Sequence, residues 1–140
     1  MKVLIDTNIA LDVILEREPF VESATEIFEL VETGKLQGYI AATTITNICY
    51  IVRKLKSREF ALQAITRLLQ GFNFCEVNHS VIQQALSLNL NDFEDGVQLA
   101  CAVLNNLDAI TTRNEDDFEG VELTVLSPID LLAHIANESG

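Results

Sequence analysis

The stretch that decides the fold is NDFEDGVQLACAVLNNLDAITTRNEDDFEG, residues 91–120. Its middle, from Val97 to Leu107, is almost uncharged and predicts a helix, and Asp108 to Thr111 then predicts a short buried strand. Acidic residues stand on both sides of this pair: Asp92, Glu94 and Asp95 before the helix, and Glu115, Asp116 and Asp117 after the strand. The loop after a strand lies at the carboxyl edge of a parallel sheet, where α/β folds bind their ligands, so we expect these acids at that edge.

A further acid, Asp6, ends the first apolar strand, which runs from Val3 to Ile5, and it reaches the same edge of the sheet. Carboxylates brought together from three separate parts of a chain repel one another. A hard divalent cation, which prefers oxygen ligands, is the natural group to hold them together. The pattern therefore favours a metal site built from aspartates that are far apart in the sequence.

Each acidic cluster also has a plain structural interpretation as a helix cap. Asp6 follows a strand and precedes a helix, and Asp92 stands three residues before Asp95, which is the spacing of a capping box. Asn114 and Asp117 repeat that spacing. Helix dipoles favour acids at such positions by about 0.3–1 kcal/mol each. Taken singly, each cluster is typical of a helix start, and only the convergence of three at one sheet edge favours the metal site.

Strands and helices alternate along the sequence, which predicts a parallel sheet covered by helices on both faces, in a single domain over residues 1–140. The expected strands are Lys2 to Asp6, Gly38 to Ala42, Phe72 to Val77, Asp108 to Thr111 and Leu123 to Leu126. The expected helices are Ile9 to Leu15, Pro19 to Gly34, Thr43 to Lys56, Ser57 or Arg58 to Gly71, Ser80 to Asn89, Val97 to Leu107, and a last helix that begins at Ser127-Pro128.

The charge balance limits the functions that are open to this chain. Its net charge of −12 argues against a sequence-independent nucleic-acid binder, because phosphate neutralisation supplies most of the affinity of such proteins. If the chain handles nucleic acid, bound metal and a local basic patch must attract it. The basic run Arg53 to Arg58 ends a predicted helix, where cations are favoured in any case, and contact with a phosphate backbone is the alternative. Arg113, directly before the second acidic turn, is better placed to contact a substrate phosphate.

The three cysteines, Cys49, Cys75 and Cys101, form no CxxC pair and are odd in number, so we expect buried free thiols in a reducing cytoplasm. Asp6 interrupts the first apolar run too early for a signal peptide, and the longest uncharged run is broken by Gln, Thr and Asn, so no membrane span is expected. Asp12 is expected as a solvated helix acid that shares a face with Asn8.

With these residues in view, the chain resembles the PIN-domain family of metal-dependent ribonucleases, which includes VapC-type toxins of toxin–antitoxin pairs. The resemblance covers nearly the whole chain and rests on IDTN at residues 5–8, DFED at residues 92–95, and ITTRN at residues 110–114 leading to Asp117-Phe118. It implies a three-layer α/β/α sandwich with a central, mostly parallel five-stranded sheet. It also implies Mg²⁺ or Mn²⁺ as cofactor and single-stranded RNA as substrate, with a homodimer and an antitoxin as partners.

The resemblance assigns roles to individual residues. Asp6, Asp95 and Asp117 would be the catalytic, metal-binding carboxylates, with Asp92 as a further metal ligand and Asn8, Asn47, Thr111 and Asn114 in support. Such carboxylates fix one or two cations, which lower the pKa of a bound water and stabilise charge on the phosphate oxygens.

One departure from the family is serious. Asn47 stands where the family commonly has a glutamate, and Asn114 stands where many members have aspartate, so the site has less negative charge with which to hold Mg²⁺. Asp92 or Glu94 would have to compensate. A catalytically weakened, PIN-like protein-binding module is therefore the alternative function. A receiver domain and a haloacid-dehalogenase phosphatase are disfavoured, because the former needs an acidic pair after the first strand and the latter needs DxD, whereas this chain has Asp6-Thr7-Asn8.

Overall fold

Five short strands form one parallel sheet at the centre of the protein. The structure, a computed structural model, describes residues 1–118 and 121–139, so the end of the quoted stretch, Glu119-Gly120, lies outside it. The strands are β1 Lys2–Ile5, β2 Gln37–Ala41, β3 Asn73–Cys75, β4 Ala109–Thr111 and β5 Thr124–Leu126. They lie in the order β3-β2-β1-β4-β5, and every neighbouring pair is parallel. The predicted five-stranded α/β/α sandwich is confirmed.

The helices connect and cover these strands. They are α1 Thr7–Ile14, α2 Val21–Glu32, α3 Ala42–Leu55, α4 Arg58–Gly71, α5 His79–Leu88, α6 Phe93–Leu104 and α7 Pro128–Ser139, with a single 3₁₀ turn over Glu115–Phe118. Three predicted helix starts were wrong by two residues or more. Helix α1 begins at Thr7 rather than Ile9. Helix α2 begins at Val21 rather than Pro19, and α6 begins at Phe93 rather than Val97, because the Asp92 side chain caps it by accepting the Glu94 N–H at 2.9 Å.

The sheet separates two hydrophobic clusters, one on each face. Successive residues of a strand point to opposite faces, so Val3 and Ile5 enter the cluster under α1, α2, α3, α4 and α7, while Leu4 enters the cluster under α5 and α6. The residues of both clusters are almost fully withdrawn from solvent. The helices that follow β1 and those that precede β4 therefore lie on opposite faces of the sheet.

This arrangement creates a crevice between β1 and β4. Strand order reverses at these two neighbours, which is where open α/β sheets leave a cleft at their carboxyl edge. Ile5 is in register with Thr111, and the Asp6 N–H donates to the Thr111 carbonyl oxygen at 3.1 Å. The residues directly after the two strands, Asp6 and Thr112, are thereby brought side by side.

The cysteines are free thiols, as predicted, although Cys49 is only half-buried. Burial raises the pKa of Cys75 to about 11 and that of Cys101 to about 12, because a buried thiolate loses its hydration. Of the helices described, none has the length and apolar character required to cross a membrane.

Candidate metal centre

The acidic residues that the sequence singled out share one pocket at the carboxyl edge of the sheet. Its volume is about 190 Å³. The residues that line it are Asp6, Thr7, Asn8, Leu11, Ile51, Asp92, Glu94, Asp95, Asn114 and Asp117. A larger cavity of about 590 Å³ lies between α2 and α7, but it does not contain the converging carboxylates that mark this pocket.

Asp6 lies at the bottom of this pocket and is only 5% exposed. It occupies the N-cap position of α1, yet its carboxylate makes no capping hydrogen bond. Instead Oδ1 accepts from Gln98 Nε2 and Oδ2 accepts from the Thr112 hydroxyl, each at 2.9 Å. The capping interpretation is therefore wrong for Asp6, and two neutral donors fix the orientation of its carboxylate.

Burial is the main reason why the pKa of Asp6 is raised. The hydrogen bonds from Gln98 and Thr112 act in the opposite direction, and the charge of Asp117 adds to the rise. The pKa of Asp95, in the first turn of α6, is raised to about 7, first by burial and then by repulsion from Asp92, Asp6, Asp117 and Glu94. Among the described residues that line the pocket there is no Lys, Arg or His, so this repulsion is not relieved by a basic side chain there.

The N-cap and the first turn of α6 carry three of the acids, Asp92, Glu94 and Asp95. Asp92 caps the helix and lines the pocket, so it has both of the roles considered for it. Glu94 Oε1 accepts from the Thr7 hydroxyl at 2.9 Å, and that hydroxyl lies 3.2 Å from Thr44 Oγ1 on α3. Gly96 lets this turn approach α5 closely, since a Cβ there would lie 3.3 Å from the Ala85 carbonyl oxygen.

The 3₁₀ turn brings Asp117 to the open side of the pocket. Asp117 is exposed, and its N–H donates to the Asn114 carbonyl oxygen at 3.0 Å. The Asn114 N–H donates in turn to the Thr112 hydroxyl oxygen at 3.1 Å. Because the same hydroxyl donates to Asp6, Thr112 connects the loop that carries Asp117 to the buried carboxylate.

The donor set fits a hard divalent cation, although the side chains are not yet arranged around one. Within residues 1–118 and 121–139, no three Asp, Glu, His or Cys side chains lie close enough together to hold an ion as they stand. The groups that line the pocket are nevertheless carboxylate and amide oxygens, the ligands that Mg²⁺ and Mn²⁺ prefer.

Comparison with known proteins agrees with this geometry. The family profile of the PIN domain matches residues 2–116. The chain belongs to the PIN domain family. No curated protein matches this PIN domain in sequence.

Several solved structures resemble this PIN domain over most of their length. A toxin–antitoxin complex from Klebsiella pneumoniae is 25% identical, with a TM-score of 0.70 over 90% of this chain and 97% of that chain. VapBC2 from Rickettsia felis, bound to a promoter DNA fragment, is 17% identical, with a TM-score of 0.74 over 91% and 98%. VapC20 from Mycobacterium tuberculosis, a toxin that cleaves the sarcin–ricin loop, is 11% identical, with a TM-score of 0.69 over 86% and 98%. The last two structures show only that their fold is similar to the fold of this chain.

Two residues of this PIN domain make contacts with Asp6 that the sequence did not suggest. Thr112 donates to Asp6. The hydroxyl of Thr111, which was predicted as a supporting residue, is buried without a hydrogen-bond partner among the described residues. Gln98 is the other donor. The available signal was a glutamine inside the otherwise apolar run of α6, one turn after Asp95.

The prediction for Asp12 was wrong, because it is not a solvated acid. Its side chain is fully buried, and its Oδ1 accepts from Arg17 Nε at 2.8 Å and from an Arg113 terminal nitrogen at 3.1 Å. Arg113 Nε also lies 2.9 Å from Oδ2, an ion pair without hydrogen-bond geometry. The sequence could not show that two arginines would meet this carboxylate.

Arg113 is consequently engaged away from the pocket. Its guanidinium pairs with Asp12 and stacks on the Phe20 ring, 3.9 Å from the ring centroid. A contact between Arg113 and a substrate phosphate, as predicted from the sequence, would have to compete with that carboxylate. Arg17 donates to the Asn8 carbonyl oxygen at 3.1 Å and to its side-chain oxygen at 3.4 Å, so Asn8 is held at the pocket wall by Arg17.

Asn47 is half-buried on α3, one turn before Ile51. It is not among the described residues that line the pocket, whereas Ile51 and Glu94 are. The acidic side chain of Glu94, on α6, therefore lines the pocket, and Asn47, on α3, does not.

Proposed function

We propose that this PIN domain is a metal-dependent endoribonuclease, which hydrolyses phosphodiester bonds of single-stranded RNA with Mg²⁺ or Mn²⁺. Asp6, Asp95 and Asp117 would hold the ion, with Asp92 as a further ligand. The observation that carries the proposal is the convergence of acids from three parts of the chain in one pocket whose described lining contains no basic side chain. The family membership supports a nuclease in general terms.

The acidic residues of the pocket have different roles in the proposed reaction. Gln98 and Thr112 hold the Asp6 carboxylate in one orientation. Asp6 therefore loses little further side-chain freedom when it binds an ion. Asp95 and Asp117 approach from α6 and from the 3₁₀ turn. When bound, Mg²⁺ or Mn²⁺ lowers the pKa of a coordinated water and stabilises negative charge on phosphate oxygens. No protein nucleophile is required.

Glu94 takes the place of the acid that the family commonly carries on α3. Its carboxylate lies in the pocket and is oriented by the Thr7 hydroxyl, so it restores the charge that Asn47 lacks. This contact supports an active enzyme in spite of the substitution at Asn47.

We further propose that the protein acts as the toxin of a toxin–antitoxin pair, binds an antitoxin and forms a homodimer. The similarity to the Klebsiella pneumoniae toxin–antitoxin complex, over 90% of this chain, supports this role. Three cysteines without disulfides support a reducing compartment, the cytoplasm.

The alternative is a protein-binding module with a degenerate site. Asn47 favours it, as does the absence, among the described residues, of three metal-ligating side chains already close together. Isothermal calorimetry with Mn²⁺ separates the two functions. The enzyme requires binding at millimolar concentration or below, and the module requires none.

A nuclease assay tests the proposal directly. Cleavage of a labelled single-stranded RNA in Mn²⁺ is measured for the unsubstituted chain and for Asp6→Asn, Asp95→Asn and Asp117→Asn. Asp116→Asn is the matched control, because Asp116 is an exposed neighbour of Asp117 outside the described pocket lining. We expect the first three to lose cleavage and the control to keep it. Equal residual cleavage in all four variants would identify a contaminating nuclease and overturn the proposal.

A further inference from the structure

We propose that the exposed side of α3, centred on Tyr50 and Lys54, is the surface along which single-stranded RNA reaches the acidic pocket. This inference rests on the proposed function and identifies the surface that binds its substrate. We call this surface the α3 stripe, and it continues into the basic run Arg53 to Arg58.

Positive charge in this protein is concentrated beside α3. Four of its nine Lys and Arg residues lie within Arg53 to Arg58, and all four are exposed. Arg17 and Arg113 are paired with Asp12, and Arg67 is paired with Glu32. In the part of the chain that the structure describes, none of the four forms an ion pair. This cluster of charge is therefore available to an anion from outside.

The ends of the helices do not account for the whole cluster. Arg53 and Lys54 lie in the last turn of α3, where the helix dipole favours cations. Arg58 is the first residue of α4, and Ser57 caps that helix by accepting the Phe60 N–H at 3.0 Å. Because the N-terminus of a helix carries partial positive charge, a cation at Arg58 is disfavoured there. Local helix stability thus leaves part of the basic run unexplained.

The geometry of α3 places the stripe beside the pocket. Ile51 lines the pocket, and Thr44, on the same face of α3, lies against Thr7. With about 100° of rotation per residue, Lys54 lies roughly 60° and Tyr50 roughly 100° from Ile51, both towards the exposed side of the helix. Lys54 is also only about 5 Å farther along the axis than Ile51, at about 1.5 Å per residue. Lys54 and Tyr50 therefore lie within about one helical turn of a residue that lines the pocket.

The stripe combines the two features that single-stranded nucleic acids use. Tyr50 is 67% exposed, and the Lys54 ammonium lies 5.5 Å from the centroid of its ring. An exposed aromatic ring offers a base a stacking surface, and a cation beside it neutralises a neighbouring phosphate. A base that stacks on Tyr50 would share the ring with the Lys54 ammonium, which lies over it. The acidic pocket repels an anionic substrate, and the net charge of the chain is −12. A positively charged surface beside the pocket attracts RNA in spite of this repulsion.

The test measures RNA affinity apart from cleavage. In an Asp95→Asn background, which prevents cleavage, the fluorescence anisotropy of a fluorescein-labelled oligouridine 12-mer is titrated in Mg²⁺ at several salt concentrations. Lys54→Glu is compared with Lys35→Glu, which makes the same charge change at an exposed position before β2, at the opposite edge of the sheet. Both variants are also assayed for cleavage in the chain with Asp95 intact.

We expect Lys54→Glu to weaken binding about tenfold and to lower the salt slope by about 0.7, the contribution of one phosphate on a single strand. In the cleavage assay KM rises and kcat is unchanged. Tyr50→Leu weakens binding about tenfold through lost stacking, with the slope unchanged. Lys35→Glu stays within about twofold of the unsubstituted chain, because distant exposed charges are screened.

Three results would overturn the inference, and each leads to a different conclusion. Equal affinity and salt slope in Lys54→Glu and Lys35→Glu, with cleavage intact, would refute the α3 stripe alone. A change of oligomeric state in Tyr50→Leu, measured by sedimentation with RNA affinity unchanged, would make the stripe a protein interface. Absence of both RNA binding and cleavage in the unsubstituted chain would refute the proposed function as well.

Discussion

Two buried aspartates of this protein, Asp6 and Asp12, differ in the groups that surround their carboxylates. Both lie within one stretch of seven residues and are at most 5% exposed. Asp12 contacts the guanidinium groups of Arg17 and Arg113, whereas Asp6 contacts only the neutral donors Gln98 and Thr112. One carboxylate is thus neutralised within the chain and the other is not.

The difference separates an acid whose counter-charge the chain supplies from an acid that has only neutral side-chain donors. A buried charge is stable only if it is paired or bound to a metal. At Asp12 the chain supplies the counter-charge. Around Asp6 it supplies further acids instead. The pKa values of Asp6 and Asp95 are raised, first by burial and then by repulsion from neighbouring carboxylates. The described lining of the pocket therefore supplies no basic side chain to balance its acids, and the proposed cation would provide that charge.

The largest effect is expected from breaking the Asp12 cluster. Asp12→Ala leaves two guanidinium groups without their partner, and because both are partly solvated the free energy of unfolding should fall by about 3 kcal/mol, the lower end for buried pairs. Urea denaturation measures this loss. Arg67→Ala is the control, since its pair with Glu32 is exposed and contributes less than about 1 kcal/mol. Equal losses in the two variants would show that Asp12 is not a structural ion pair.

The next largest effect is expected from adding the cation to the pocket. A ligand that binds only the folded state raises the free energy of unfolding by about 2.7 kcal/mol at one hundred times its Kd. Thermal unfolding with and without Mn²⁺ should show this rise in the unsubstituted chain and in Asp116→Asn. The rise should be absent in Asp95→Asn. A rise of the same size in Asp95→Asn would place the ion elsewhere.

A third expectation concerns pH in the absence of metal. The pKa of Asp95 is raised in the folded state, so between about pH 4 and pH 7 the folded chain binds more protons than the unfolded chain, and stability falls as the pH rises through this range. The loss should be on the order of 1–2 kcal/mol once solvent screening is allowed for. Urea denaturation in EDTA at several pH values measures it. Asp95→Asn should flatten the profile, and an unchanged profile would show that another group titrates.

The smallest effect separates the two roles of Asp92. Asp92→Ala removes the helix cap and should cost about 1 kcal/mol, whereas Asp92→Asn keeps a capping oxygen and should leave stability nearly unchanged. Both substitutions remove a negative charge beside Asp95, so both should lower the pKa of Asp95. NMR titration of the carboxyl group measures that shift. A pKa that stays near 7 in both variants would mean that the charge of Asp92 does not contribute to the shift of Asp95.

Much of the site was predictable because its residues stand at the ends of strands and helices. Asp6 directly follows β1, Asp92 is the N-cap of α6, and Asp95 lies in the first turn of that helix, so local patterns placed all three at the sheet edge. The start of α6 was set four residues too late, because the apolar run begins at Val97 while the capping hydrogen bond to Asp92 begins the helix earlier. A capping contact competes with hydrophobic periodicity, and only the structure shows which of the two sets the boundary.

The sequence by itself determined the alternation of strands and helices and the acids at their ends, because periodicity and chain reversal depend on residues a few positions apart. The tertiary structure alone decided the strand order β3-β2-β1-β4-β5 and the partners of each carboxylate. Asp6 is 92 residues from Gln98 and 106 from Thr112, and Asp12 is 101 residues from Arg113. Contacts across such distances form only when the whole chain closes, so no local pattern distinguishes the aspartate that meets arginines from the one that meets only neutral donors.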